Sequence, residues 1–204
     1  MASGANAGAV VASIEELGLL LVSDPKRKSA IQVLTGACPR GSWWSHPDAN
    51  RIYDILQTVE RHPDVLQAKL LAGKVTFIHR RLWPALLAVA SAREGWQMEG
   101  LSPGAARMLV ALEAIPGPRA EGAVQPVEPP SRTAIKELEA RLLARGESVH
   151  SSSGKHVTRL ESWTAWASRV GCAPAPSVAQ SKLALAAAAA QLGPPPPALP
   201  WPGG

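Results

Sequence analysis

Three observations in the 204-residue sequence predict a mainly α-helical fold. Apolar residues recur with helical spacing along most of the chain, and Ser or Pro stands where several of these segments begin. β-strand patterns are limited to one short run at 75–80 and one hairpin signal at 147–160. We therefore predict a helical N-terminal domain and a smaller C-terminal domain that contains a β-hairpin.

The N-terminal domain is predicted to cover residues 13–99. Residues 1–12 are small and are expected to form a disordered N-terminus. Pro47 and Pro63 each precede an Asp and an apolar segment, which is typical of a helix start, and Gly73 is expected to cap the second of these helices. The predicted helices are 14–22, 26–34, 47–59, 65–73 and 84–93, and 75–80 is predicted to be a strand.

The segment 100–171 has the element order of a winged helix. Ser102-Pro103 starts one predicted helix, 131–145 forms the next, and the hairpin and a helix with Trp163 and Trp166 follow. A winged helix places one helix in the DNA major groove while its hairpin contacts the backbone or the minor groove. We therefore predict a winged-helix-like domain. An Ala/Pro-rich tail at 172–204 follows, and its end at 199–202 either docks on the domain or remains free.

Composition favours an anionic partner inside the cell. The chain has 21 basic and 16 acidic residues, a net charge of +5. Two cysteines 134 positions apart, Cys38 and Cys172, give no disulfide framework, so we expect a reducing cytoplasm. The apolar stretch 8–22 contains Glu15 and Glu16, lacks a preceding basic residue and is too short to span a bilayer, so no membrane association is expected.

Nucleic-acid binding without catalysis, with double-stranded DNA favoured, is the leading functional interpretation. Between Val65 and Arg93 there are five basic residues and no Asp or Glu, and Trp83 offers a stacking surface. Further cations lie on the predicted helix and hairpin of the C-terminal domain, although Glu137 and Glu139 dilute the helix. The candidate nucleic-acid-binding residues are Lys69, Lys74, Arg80, Arg81, Trp83, Arg132, Lys136, Arg141, Arg145, Lys155, His156 and Arg159.

Other functions remain open on the sequence. The acid-free run could be a solvated face paired with acidic helices elsewhere. An enzyme of nucleic-acid metabolism could bind phosphate with His79, Arg80 and Arg81 and place His46 or Asp48 near the chemistry. A protein-interaction module could act through its tryptophans and the proline-rich tail, although Trp43, Trp44, Trp83 and Trp96 are expected to be packing residues.

No catalytic, metal or cofactor site is predicted. His46-Pro47-Asp48 and His62-Pro63-Asp64 could in principle supply metal ligands, but each is explained as a helix start. The segment 68–76 has Ala68 where a phosphate-binding loop needs its first glycine and Val75 where it needs Ser or Thr. We therefore expect neither a bound metal nor a nucleotide cofactor.

Three segments resemble a family of small uncharacterised bacterial proteins: GSWWSHP at 41–47, GKVTFIHRRLWP at 73–84 and KELEARLL at 136–143. The resemblance covers about residues 14–170 and implies no known activity. The element order of the C-terminal half is also similar to winged-helix modules, including those of the bacterial crosslink-repair DNA glycosylases. No catalytic motif of that family is found in the sequence, so the likeness implies no glycosylase activity.

Overall fold

A computed structural model describes residues 6–38, 41–114, 131–150 and 156–203. Helices predominate among these residues, in agreement with the predicted mainly helical fold. They are accompanied by one small antiparallel sheet and one hairpin. The chain divides into two compact units, Met1–Trp83 with Leu183–Leu199 and Pro84–Lys182 with Pro200–Gly204. The boundary therefore lies at residue 83 rather than 99, and the predicted tail is divided between both units instead of forming a segment of its own.

The first unit packs helices against a three-stranded antiparallel sheet. Its strand order is β1-β3-β2, with Leu20 opposite Phe77 and Leu66 opposite Ile78. Helices α1 and α3 contact each other and the sheet, and Ile14 and Val59 are fully buried. The elements are α1 (Ala7–Leu17), β1 (Leu19–Leu21), α2 (Ala30–Thr35), a 3₁₀ turn (Trp43–Ser45), α3 (Ala49–Glu60), β2 (Val65–Leu71), β3 (Lys74–His79) and a 3₁₀ turn (Arg80–Leu82).

The predicted helix at 65–73 is wrong, because Val65–Leu71 is strand β2. Its apolar run is short enough to suit either a strand or a helix segment, and its position next to β3 decides between them. Ala72 and Gly73 both adopt positive φ, of 49° and 67°, which is the backbone that a two-residue hairpin turn needs. Gly73 is therefore a hairpin residue rather than a helix cap, while the strand predicted at 75–80 is confirmed as β3.

The N-terminal predictions also change. Helix α1 begins at Ala7, where the side chain of Asn6 accepts the N–H of Ala9, so the predicted disorder of 1–12 does not hold from Ala7 onward. The predicted helix 14–22 breaks at Gly18, and Leu19–Leu21 is a strand. Gly18 has a φ of 81°, and a Cβ there would lie 2.9 Å from Nη2 of Arg81. Both facts require glycine and explain the break.

A side-chain turn also shortens the second predicted helix. The Asp24 carboxylate accepts the backbone N–H groups of Lys26 and Arg27 at 2.9 and 3.0 Å, which holds these residues in a turn. Helix α2 consequently starts only at Ala30, with Ser29 as its N-cap. The helix predicted at 47–59 is confirmed as α3, which begins two residues later than predicted.

The second unit contains the helix and hairpin order that the sequence predicts. Its core comprises buried side chains from α6, α7 and β5, among them Leu109, Leu138 and Leu160. The predicted helix 131–145 ends at Ala140, since Leu142 adopts a φ of 51°. The elements are α4 (Trp83–Ala90, beginning at the boundary), α5 (Gly95–Met98), α6 (Pro103–Glu113), α7 (Arg132–Ala140), β4 (Arg145–His150), β5 (His156–Glu161), α8 (Trp163–Val170) and α9 (Val178–Ala190, which continues into the first unit).

The C-terminal residues dock rather than remain free. In the first unit the N–H of Ala72 donates to the carbonyl oxygen of Ala198 at 2.7 Å, and Leu199 is buried. In the second unit Trp201 is 5% exposed and its ring centroid lies 6.3 Å from that of Trp96. Among the described residues, no helix has both the length and the apolar character needed to cross a membrane.

Candidate nucleic-acid interface

Helix α7 exposes a face whose only charges are positive. Its exposed positions are Arg132, Thr133, Lys136 and Ala140, spaced as on one side of a helix. The structure describes every residue of this helix, and neither of its two glutamates belongs to that face. Both Arg132 and Lys136 were predicted to bind nucleic acid, and both are solvent-exposed.

The two glutamates of α7 pack against other residues of the same unit instead. Glu139 is 6% exposed, and a Cβ at Gly146 would overlap its carboxylate. Glu137 accepts hydrogen bonds from the hydroxyl and the N–H of Ser102, which hold the pKa of Glu137 below its ordinary value. The acidic dilution expected from the sequence is therefore absent from the exposed face.

Arg141, another predicted binding residue, has a structural role. Its guanidinium donates to carbonyl oxygens at the end of α5 and just beyond it, including that of Glu99 at 2.6 Å. The other acceptors are the carbonyl oxygens of Trp96, Gln97 and Gly100. These carbonyls have no partner within the helix, so the arginine supplies the missing donors. Arg141 is consequently not available to a ligand in this arrangement.

The hairpin cations form an ion network. Arg145 lies 3.3 Å from Glu161 and 3.7 Å from Glu147, while Arg159 pairs with Glu147 and Arg169 with Glu161. Arg145 is only 8% exposed and is committed to this network, so its contact with phosphate stays a prediction that the fold does not favour. Burial alone would raise the pKa of Glu147, but Arg145 and Arg159 outweigh it and hold this pKa below its ordinary value. Arg159 is partly exposed but already paired.

The acid-free run at 65–93 meets carboxylates from elsewhere in the chain. Lys74 pairs with Asp24 at 2.7 Å, and Arg80 pairs with Asp64 at 2.9 Å. Lys69 is half-buried in β2 and also has an interaction partner. The run is thus basic in sequence but largely neutralised in space, as the solvated-face alternative expects.

Two more residues of this run support the first unit. Arg81 donates to the carbonyl oxygens of Glu15 and Glu16, the latter at 2.9 Å, and so closes the end of α1. Trp83 is 8% exposed and its Nε1–H donates to the carbonyl oxygen of Ile78 at 3.1 Å. The ring packs in the interior of the unit, so its use as a stacking surface for nucleic acid stays a prediction that its burial does not favour. The residues considered as a phosphate site, His79, Arg80 and Arg81, likewise make hydrogen bonds with other groups of the chain.

The tip of the hairpin lies outside the described residues. Lys155 belongs to that part of the chain, and His156 is described only through its backbone, which pairs with His150 at the start of β5. Their predicted contacts with nucleic acid stay predictions.

The His-Pro-Asp tripeptides form local turns. Nδ1 of His46 accepts the N–H of Asp48 at 3.1 Å, and Nδ1 of His62 accepts the N–H of Asp64 at 3.3 Å. The first precedes α3 and the second precedes β2, so only one of the two starts a helix. Within the described ranges, no three His, Cys, Asp or Glu side chains come together as metal ligands would.

Sequence reasoning missed a polar cavity between α2 and α3. Its volume is about 170 Å³. Trp44, two residues before His46 in the chain, is 56% exposed, which contradicts its prediction as a packing residue. Its exposure follows from its position in a 3₁₀ turn, which the sequence pattern does not reveal. The residues that line the cavity are Leu34, Thr35, His46, Asp48, Arg51, Ile52 and Ile55.

Comparison with protein-family models, with curated proteins and with solved structures found no match to this chain. The resemblance to a bacterial family stays a prediction.

Proposed function

We propose that the chain binds double-stranded DNA without catalysis, and that the exposed face of α7 provides the contact. The observation that carries the proposal is that Arg132 and Lys136 lie together on an exposed face of α7 that contains neither glutamate of the helix. Lys and Arg are the side chains that neutralise phosphates, and each such contact strengthens binding by releasing counterions.

Helix stability does not account for Arg132. This residue is the first of α7, at the positive end of the helix dipole, whereas Lys136 lies in the second turn. A cation in the first turn opposes the dipole and costs the helix a few tenths of a kcal/mol, an effect that falls off beyond that turn. Binding a polyanion would offset this cost at Arg132.

The order of elements supports a winged-helix interpretation of the same unit. Helix α7 is followed directly by the β4–β5 hairpin and then by α8, so the helix preceding the wing would be the one that enters the major groove. In this arrangement the ion network of Arg145 and Glu161 holds the base of the hairpin, and the helix supplies the contacts with DNA. The order of elements alone would also suit a protein-docking module. The positive charge of the exposed α7 face is the reason to propose DNA as the partner.

Fluorescence anisotropy with a labelled DNA duplex at several salt concentrations tests this function. The double variant Arg132→Ala, Lys136→Ala should bind more weakly for every sequence, and its log–log salt dependence should flatten by about 1.8, since each phosphate contact contributes roughly 0.9. The control is Lys26→Ala, Arg61→Ala, which removes two exposed charges from the first unit. Equal binding by wild type and the α7 variant, with folding intact, would exclude this interface.

A further inference from the structure

Three aromatic rings form a partly exposed cluster on the first unit. Trp43 and Trp44 stack with ring centroids 4.1 Å apart and an interplanar angle of 25°. Tyr53, on α3, lies 5.5 Å from Trp44. Trp44 remains 56% exposed although large aromatic side chains normally gain most by burial. The cluster therefore offers apolar ring surface that the fold itself has not covered.

The cavity of about 170 Å³ is lined in part by residues that are close neighbours of this cluster along the chain. The backbone N–H of His46, a residue of its wall, donates to the carbonyl oxygen of Trp43 at 3.0 Å, and Tyr53 follows Ile52, which also lines the cavity. The rings and the cavity thus share the same two segments, the 3₁₀ turn and α3.

The cavity wall holds polar groups of both hydrogen-bonding kinds. Asp48 is the N-cap residue of α3, yet its carboxylate makes no capping hydrogen bond and remains an acceptor. Nδ1 of His46 already accepts a hydrogen bond, so the neutral ring carries its proton on Nε2 as a donor. Arg51 adds an exposed guanidinium, which is a donor only.

We propose that this ring cluster and cavity bind an unpaired base of single-stranded nucleic acid. The base would stack on the ring surface at Trp44 and place its hydrogen-bonding edge against Asp48 and Arg51. A carboxylate beside an arginine matches the mixed donors and acceptors of a base edge, whereas the carboxylate would oppose a phosphate. Stacking on aromatic side chains is the usual means by which proteins hold unpaired bases.

The inference rests on the proposed function because it expects nucleic acid as the ligand. It concerns the first unit instead of the second, and single strands instead of duplex DNA.

Anisotropy titrations with fluorescein-labelled twelve-nucleotide single strands, of dA, dC, dT and mixed dG-containing sequence, test the inference. Trp44→Ala should weaken single-strand binding about tenfold, since it removes the ring on which the base would stack. Arg51→Gln should weaken it severalfold, while the matched control Arg61→Gln, at the C-cap of the same helix and outside the cavity, should bind within about twofold of wild type.

Trp44→Leu keeps apolar bulk without an aromatic face and tests stacking where Trp44→Ala fails to fold. Single-strand binding at wild-type strength in folded Trp44→Leu and Arg51→Gln would overturn the inference. The α7 variant Arg132→Ala, Lys136→Ala separates the two proposals. Duplex binding lost in that variant, with single-strand binding unaffected by Trp44→Leu and Arg51→Gln, would leave the DNA interface standing and remove the base site.

Discussion

The carboxylate of Glu137 accepts two hydrogen bonds from Ser102, one from the hydroxyl at 2.6 Å and one from the backbone N–H at 3.0 Å. The same hydroxyl caps α6 by accepting the N–H of Ala105. One acidic side chain of α7 therefore stabilises the start of α6, and its commitment there leaves the outer face of α7 positive. The stability of the unit and the charge of its candidate interface depend on the same residue.

Replacing Glu137 by Ala should lower the free energy of unfolding by about 1–2 kcal/mol, because both donors of Ser102 lose their acceptor. Glu137→Gln keeps an acceptor oxygen and should recover part of this loss. Lys136→Ala, one position away on the exposed face, should change stability by less than about 0.5 kcal/mol. Urea denaturation measures all three, and equal stabilities of the Glu137→Ala and Lys136→Ala variants would contradict the assigned role.

Arg141 should behave as a structural residue and Arg132 as a binding residue. Arg141→Ala removes the donor to the carbonyl oxygens at the end of α5 and just beyond it and should cost about 2 kcal/mol of stability. Arg141→Lys keeps the charge but lacks the fork that reaches several acceptors, so it should rescue little. Arg132→Ala should leave thermal unfolding nearly unchanged while weakening duplex binding. The assignment fails if Arg141→Lys is as stable as wild type.

Arg145 and Arg159 both contact Glu147 but differ in burial, 8% against 40% of the side chain exposed. Arg145→Ala leaves Glu147 and Glu161 without their shared buried cation and should cost about 3 kcal/mol. Arg159→Ala removes a partly exposed partner and should cost less than about 1 kcal/mol. Chemical denaturation of the two variants provides the comparison, and a larger loss for Arg159→Ala would mean that the buried cation does not hold the hairpin.

Local signals predict some helix boundaries well. Ser102 caps α6 with Pro103 at its first position, and Gly171 ends α8 in the left-handed conformation, as sequence rules expect. Strand β2 could not be predicted in this way, because the apolar pattern of its seven residues suits a helix as well as a strand. Only its pairing with β3 makes it a strand.

The charged residues were harder to assign than the helices. Lys74 meets Asp24 across 50 positions of sequence, and Arg81 reaches the carbonyl of Glu16 across 65, so a basic run in sequence does not identify a basic surface. For α7, the position of each charged residue around the helix shows which charges share a face. Helical spacing places Glu137 beside Arg141 and away from Arg132.

His79 should make stability depend on pH in the range where histidines titrate. Its Nδ1 accepts the backbone N–H of Arg81 at 3.4 Å, an interaction that only the unprotonated nitrogen can make. Burial and the neighbouring Arg81 cation lower the pKa of His79 from its ordinary value of 6.5. The unfolded chain therefore binds a proton at this position more readily than the folded chain.

The sign of the effect follows from that difference. The stabilisation is fully present above about pH 6.5, the ordinary histidine value, and is lost as the pH falls below it. Carboxylates titrate lower, so the interval from about pH 7.5 to about 5.5 isolates the histidine contribution. We expect urea denaturation to give a smaller free energy of unfolding at the lower pH. His79→Asn retains an oxygen that can accept the same N–H, as Asn does in turns, but has no proton to gain. That variant should match wild type at pH 7.5 and lose less stability on acidification, and an undiminished loss would show that His79 is not the group responsible.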